Sequence, residues 1–458
     1  MEEVLVLQQL LGPKGPGITR AMSQAMGLLE SLPSSQLLQK VGTTFDAIDP
    51  FQAIDKSALQ DSYGGAQAGP TDDFLVGRGL FYFSEQRRLF LDCTAGHYQM
   101  LWGYNHPVLR RIIEEGTRAG IVWDNHSNIP QAPVKQLAHR LVSAANPPGD
   151  ADPLDTALLG VCTGSVACAA AIKIQLKVYE QRQRKGTPIL VVLAGNYHGT
   201  DMVAQCMRGL WPGLVQGVQI ITVEPNNSQE LEHTFREHGA RIAGFWAEPV
   251  LMNREAIAVH AEFLQLARRW CDDVGALLCF DEIQSGFWQP EVFAFRALGL
   301  RPDLVVVGKG MTAGVHPLAA VLYKERYDVL AQYDAISTNG SASMPALVAL
   351  GCMELIGSDA PRIQSVGRRI EDGFAALASD FPEQLQSAQG RGHLAGLKFR
   401  RVQDALDFHR KCVASGLWVR AHAYHEGHST VLTKLGLLAD DAVVDFVLAR
   451  FRELLTKR

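Results

Sequence analysis

Lys309 lies between two glycines at the end of an apolar run, Val305-Val306-Val307-Gly308-Lys309-Gly310. Asp281 follows a second apolar run, Leu277-Leu278-Cys279-Phe280, twenty-eight residues earlier. A lysine flanked by glycines can approach a ligand closely, because neither neighbour carries a Cβ. Its amine, once deprotonated by desolvation and neighbouring positive charge, is a nucleophile toward an aldehyde. A carboxylate just past a buried strand is poorly solvated and wants a cationic or protonated partner. Each residue taken alone also has a plainer role, as a solvated loop lysine and as an aspartate capping a turn or helix.

Two more segments share this placement. Thr163-Gly164-Ser165 stands between the strand-like Ala157 to Val161 and the Ala-rich helical stretch Val166 to Tyr179. Backbone N–H groups at a helix start, with a hydroxyl alongside, suit a phosphate, although an ordinary N-cap uses the same chemistry. Gly195-Asn196-Tyr197-His198-Gly199 follows the apolar run Ile189 to Ala194 and offers a flat ring able to stack on a heteroaromatic group. A buried core tyrosine is the alternative there.

The elements that must position these residues are legible in outline. Between Ala157 and Tyr323, short apolar runs (Ile189 to Ala194, Val218 to Val223, Ile242 to Trp246, Leu277 to Phe280, Leu304 to Val307, Leu318 to Leu322) alternate with helical patterns. Such alternation predicts an α/β fold with a mainly parallel sheet covered by helices. In an open α/β sheet, ligands bind at the carboxyl ends of the strands, where all four segments fall. Upstream, a hairpin is expected from Gly79–Phe83 and Arg88–Leu91. A short amphipathic helix is expected around Ala21–Leu32, and a loose Gly- and Ala-rich tract from Ser62 to Pro70. After Met344 the pattern predicts two helices, Pro345–Ile356 and Ile363–Ala378, a strand near Gly396–Phe399 and a closing helix Asp441–Leu455. The expected division is an N-terminal arm with part of a small domain (1–100), a large domain (101–344) and a C-terminal small α+β domain (345–458).

Composition narrows the partners. The 458 residues carry a formal net charge of −5 with both signs scattered, so nucleic acid is not an expected partner. Eight cysteines are spread without a C-x-x-C, giving neither a disulfide framework nor a metal site. The N-terminus does not have the pattern of a signal peptide, and no apolar stretch reaches the roughly 18 to 20 residues of a membrane span. A cytoplasmic protein that acts on small molecules, away from membranes, is expected.

The four segments, in this order, resemble the class III (subgroup II) aminotransferases, of fold-type I among pyridoxal-phosphate enzymes. The resemblance runs from about Phe74 to Phe451. It is carried by Leu89-Phe90-Leu91-Asp92, Gly103-Tyr104-Asn105-His106-Pro107, Thr163-Gly164-Ser165-Val166-Ala167, Tyr197-His198-Gly199, Ala247-Glu248-Pro249-Val250, Phe280-Asp281-Glu282-Ile283-Gln284-Ser285-Gly286-Phe287, Gly308-Lys309-Gly310 and Ser337-Thr338. It implies a large seven-stranded domain with a smaller α+β domain, and an enzyme that transfers an amino group from a small-molecule donor to a carbonyl acceptor in two stages. Pyridoxal 5′-phosphate would be held by Lys309 through a Schiff base, and Lys309 would shuttle the proton. By the same resemblance Asp281 pairs with the ring nitrogen, Gln284 bonds the ring oxygen, and Ile283 and Tyr197 cover the ring faces. Gly164 and Ser165 hold the phosphate, His198 belongs to the cofactor site, and Glu248 supports the polar network around Asp281 and Gln284. Thr338 reaches the phosphate of a neighbouring subunit, which implies a homodimer with shared active sites.

Departures concern the substrate. Val166 stands where the family usually has Glu, and Trp288-Gln289-Pro290 replaces the usual Gly-Arg-(Thr/Ser)-Gly. The C-terminal Arg that binds an α-carboxylate in many members is missing from Val431-Leu432-Thr433-Lys434-Leu435-Gly436-Leu437. An ammonium does not freely replace a bidentate guanidinium, so an amine or ω-amino donor is expected, with Arg420, Lys434 or a residue of the N-terminal arm as the alternative partners of a carboxylate. His97, Tyr98, Trp123 and Trp288 are candidate pocket residues or simple packing. An aminomutase, racemase or decarboxylase of the same fold, or an inactive binding relative, are the alternatives.

Overall fold

The computed structural model describes residues 2–59, 72–126, 128–423 and 425–457; the expected loose tract Ser62–Pro70 lies outside the described residues. Two compact units are formed, one from 1–106, 368–388 and 395–458, the other from 107–367 and 389–394.

The larger unit is built on a seven-stranded sheet. Its order across the sheet is Thr156–Val161, Ala319–Tyr323, Leu304–Val307, Leu277–Asp281, Ile242–Ala247, Ile189–Leu193 and Gln219–Val223. Leu277–Asp281 runs parallel to both neighbours, and Ile189–Leu193 to both of its own. Ala319–Tyr323 is antiparallel to both strands beside it. The five central strands are buried along their whole length. That is why they are continuous aliphatic runs such as Leu-Val-Val-Val, with no polar alternation. The edge strand Gln219–Val223 is only partly buried and is correspondingly mixed in sequence. Helix Gly164–Gln181 lays Ala167, Ala171, Ile174 and Val178 on the sheet.

The chain after Met344 departs from expectation. Two helices are predicted there, and one continuous helix, Ser343–Asp380, is observed, with Pro361 inside it. Proline removes an N–H and crowds the carbonyl of the residue four back, here Gly357. Ile356, Ile363 and Val366 keep one buried stripe running through the proline, and that burial outweighs the lost hydrogen bond.

The smaller unit begins with helices Glu2–Leu10, Gly15–Ser31 and Ser34–Lys40. The expected hairpin is Phe81–Ser84 against Leu89–Asp92, flanked by Phe74–Arg78 and by a short parallel strand, Leu417–Trp418. A second sheet pairs Arg420–His422 antiparallel with Thr430–Lys434. Helices Val402–Ala414 and Asp441–Thr456 pack through Phe408 and Phe451, whose ring centroids are 5.2 Å apart. No helix among the described residues is long and apolar enough to cross a membrane.

Candidate active site

The carboxyl ends of five strands of the large sheet supply the polar residues. In the parallel register Phe280 lies against Ala247 and Asp281 against Val306. Glu248, Asp281 and Lys309 therefore leave three adjacent strands within a few residues of their ends.

Asp281 is 4% exposed. Its Oδ1 accepts the Ile283 N–H at 2.9 Å, while its Oδ2 takes His198 Nδ1 at 2.8 Å and the Cys168 thiol at 3.5 Å. Burial, and then the charge of Asp281, push the Cys168 thiol well up, so it stays protonated and donates. Glu248 is buried beside it, its Oε1 accepting the Tyr197 N–H at 2.8 Å and its Oε2 the Gln284 amide at 3.3 Å. Burial and the negative charge of Asp281 push the Glu248 carboxyl well above the usual range, against the Tyr197 N–H and Lys309, which favour its anion.

Lys309 has φ 42°, in the left-handed region that non-glycine residues seldom occupy. Strain of this kind persists where surrounding structure over-determines it, and it aims the side chain off the strand end. Burial lowers the Lys309 amine below its ordinary value, and Asp281 and Glu248 pull it partly back. Its Nζ is 5.9 Å from the Tyr197 ring centroid, and the Arg208 guanidinium lies 5.4 Å from the same centroid.

Helix Gly164–Gln181 begins beside these groups. Thr163 caps it, accepting the Val166 N–H. A Cβ on Gly164 would lie 2.7 Å from Ile283 Cδ1, so glycine there lets the helix start approach Ile283. The Tyr197 loop closes on the same turn: Ser165 Oγ accepts the Thr200 N–H at 3.1 Å, and a Cβ on Gly199 (φ +106°) would strike that oxygen at 2.5 Å. Gln284 donates to Glu248 and to Asn253 Oδ1 at 3.2 Å. Its buried Oε1 has no hydrogen-bond partner among the described residues.

The structure thus brings Gly164, Ser165, Tyr197, His198, Glu248, Asp281, Ile283, Gln284 and Lys309 together. Thr338 is exposed on a turn whose neighbour Ser337 donates its backbone N–H to Gly160 O at 2.8 Å. Trp288 is 4% exposed, with its Nε1 unpartnered among the described residues, and packs 6.2 Å from the His393 ring. Trp123 is exposed, 6.2 Å from the His316 ring. In the smaller unit the buried Lys434 ammonium lies 3.9 Å over the Tyr98 ring, beside His97, and Arg420 is half-buried. Sequence reasoning did not single out Cys168 or Asn253. Cys168 follows Gly164 by four residues, one helical turn, and that spacing was the available signal.

Sheet order, strand-end lysine and paired buried carboxylates define an aminotransferase-type site, and comparison with known proteins agrees. The family model for aminotransferase class-III matches residues 74–455, and the chain belongs to that family. It is 27% identical over 336 residues to the acetylornithine aminotransferase of Prochlorococcus marinus (strain MIT 9313), covering 70% of this chain and 77% of that protein. It is 24% identical over 341 residues to the mitochondrial ornithine aminotransferase of Arabidopsis thaliana, covering 71% and 69%. Its fold is similar to the crystal structure of the ornithine aminotransferase from Toxoplasma gondii ME49, with TM-score 0.75 at 19% identity, covering 86% and 93% of the two chains.

The chain is accordingly a pyridoxal-phosphate-dependent aminotransferase. The residues present fit that cofactor. They offer a desolvated amine, a helix start made accessible by glycine, an aromatic ring within reach of the amine, and an amide oxygen that is buried and unpartnered among the described residues.

Proposed function

We propose that Lys309, Asp281, Gln284, Tyr197, Ile283, Gly164 and Ser165 hold pyridoxal 5′-phosphate for transfer of an amino group from an amine or ω-amino donor to a keto acid or aldehyde, in two successive half-reactions. The observation that supports it most is the convergence of a burial-lowered lysine amine with two buried carboxylates at adjacent strand ends. When bound, the cofactor supplies an electron sink for the bonding pair released at the substrate Cα.

The protein's own residues do the rest. The Lys309 amine would hold the cofactor's aldehyde and, once displaced by the donor amine, would be the base that takes the proton from the substrate Cα and hands it on. Asp281, fixed by three donors, would pair with the ring nitrogen and favour its protonated form. Tyr197 and Ile283 would flank the ring, and Gln284 would turn one of the amide N–H groups that now serve Glu248 and Asn253 to the ring oxygen. Glu248 holds Tyr197 and Gln284 in place through its two oxygens. The N–H groups at Gly164 and Ser165, at the positive end of an 18-residue helix, receive the phosphate. Thr338, exposed on its turn, is left to meet the phosphate of a second copy in a cytoplasmic homodimer with shared sites.

The donor class is supported by Leu432 and Lys434 in a strand that lacks arginine, and by relatives named for ornithine and acetylornithine. The test is absorption spectroscopy of protein loaded with pyridoxal phosphate, with Lys309→Ala as control. A visible band is expected in wild type, missing from the variant, and bleached by an amine or ω-amino compound added alone. Bleaching by glutamate and by none of the amines would sink the donor assignment. A wild type without the band would sink the cofactor residues.

A further inference from the structure

His198 is held to Asp281 by one hydrogen bond, through Nδ1 at 2.8 Å, and its other nitrogen is buried with no hydrogen-bond partner among the described residues. One bond does not fix an imidazole's rotation, so the ring must be set by what packs on it. That neighbour is Trp246, with ring centroids 4.9 Å apart and planes at 53°. Trp246 is itself pinned, because its indole N–H donates to Gln175 Oε1 at 2.7 Å. Gln175 is then held by its Nε2, which donates to Leu277 O at 2.9 Å in the strand that ends in Asp281.

Gln175 and Trp246 are both 0% exposed, and a buried carboxamide is costly unless both its ends are bonded, as here. Its space exists only because residue 244 is glycine: a Cβ there would lie 2.1 Å from Gln175 Nε2. Helix, two strands and glycine thus converge on one indole orientation.

We propose that Gln175 and Trp246 are positioning residues for the transamination. They fix the rotation of His198, and through it the Asp281 oxygen that sets the ring-nitrogen end of the cofactor site. The proposal rests on the assignment of Asp281 made above. His198 acts through Asp281, with Nδ1 carrying the proton toward the carboxylate. Outer partners of metal-ligating side chains are commonly worth about tenfold or more in affinity, and an effect of that order is the one to look for here.

The test compares Gln175→Leu, Trp246→Phe, His198→Asn and Asp281→Asn. Each is read by the dissociation constant for pyridoxal phosphate, the pH midpoint of the visible band, and the urea midpoint. Gln175→Leu and Trp246→Phe break the same hydrogen bond. Each is expected to weaken cofactor affinity on the order of tenfold and to move the band's pH midpoint in the direction Asp281→Asn moves it. In a His198→Asn background, Gln175→Leu should add little to either, because the relay is already cut. Loss of urea resistance with an unmoved band and unchanged affinity in both single variants would overturn the proposal and leave a packing role. If Asp281→Asn also leaves band and affinity unchanged, the assignment of Asp281 fails as well. A change with Asp281→Asn alone removes only the relay. Should Gln175→Leu not fold, Trp246→Phe, which keeps an aromatic ring while losing the N–H and part of the indole's bulk, decides, its urea midpoint reporting the packing loss separately from the band and the affinity.

Discussion

Glu248 and Asp281 leave adjacent parallel strands side by side, 3% and 4% exposed, because Phe280 is in register with Ala247. Two carboxylates this close and this dry disfavour double ionisation, which is why Glu248 is pushed upward. Lys309 enters from the next strand as the nearby cation. The pocket's charge balance therefore follows from sheet register.

Glu248→Ala should be more damaging than Glu248→Gln. Alanine strands the Tyr197 N–H and a Gln284 donor, at roughly 1–3 kcal/mol for each group left unsatisfied. Glutamine keeps a carbonyl oxygen for the Tyr197 N–H. Urea midpoints of the cofactor-free variants, with cofactor affinities alongside, check the order. Equal losses would show that these hydrogen bonds do not matter.

Glu282 makes cofactor-free stability depend on pH. It is fully buried and accepts the N–H groups of Ala294 and Phe295, both at 2.7 Å, and burial raises it to about 8. An unfolded glutamate titrates near ~4.3, so between these values the folded protein binds the extra proton. The contribution is fully present below the unfolded value and is lost as pH rises toward about 8. Glu282→Gln should lower stability at low pH, where one N–H loses its acceptor, and flatten that slope, so that its cost shrinks as pH rises toward about 8. Urea titrations across the window measure it, and an unchanged slope would assign the dependence elsewhere.

Gly164→Ala should weaken cofactor binding by crowding Ile283 Cδ1. Since that atom ends a flexible side chain, the loss should be moderate, about 1–3 kcal/mol as for overpacking. Ile283→Val removes the crowded methyl, so the double variant should recover part of it. Equilibrium dialysis of pyridoxal phosphate against the three variants gives the coupling. Additive losses would mean that the contact is not responsible.

Asp303 holds two cations under the sheet, Arg268 at 2.7 Å and Lys324 at 2.9 Å, and accepts the Leu278 N–H at 2.9 Å. Asp303→Ala takes one carboxylate from each cation, leaving Arg268 to Asp272 and Lys324 to Asp152, and strands the Leu278 N–H, so it should cost about 1–3 kcal/mol of stability. Chemical denaturation tests it. A loss under about 1 kcal/mol, typical of a surface pair, would show that solvent reaches the cluster.

Much of this was legible in the chain itself. Continuous aliphatic runs bounded by turn residues mark strands of a covered sheet, and several of them end beside a residue able to do chemistry, so the sheet and Gly164, Tyr197, Asp281 and Lys309 could be located from pattern and spacing. Helix Ser343–Asp380 was less legible, because Pro361 signals a break locally and only the buried stripe beneath it carries the helix through. The contacts of Gln175 left no local trace. A glutamine within an apolar helix carries no mark of the strand carbonyl and indole it will meet.

By itself, the sequence determined which segments form strands and which residue types stand at their ends, since hydrophobic burial and backbone preference act over a few residues. Only the tertiary structure decided which strands lie side by side. That order sets Glu248 beside Asp281, turns His198 and Cys168 onto one carboxylate oxygen, and lowers the Lys309 amine. Desolvation and charge coupling arise between groups distant in the chain, and they exist only once the sheet has closed over them.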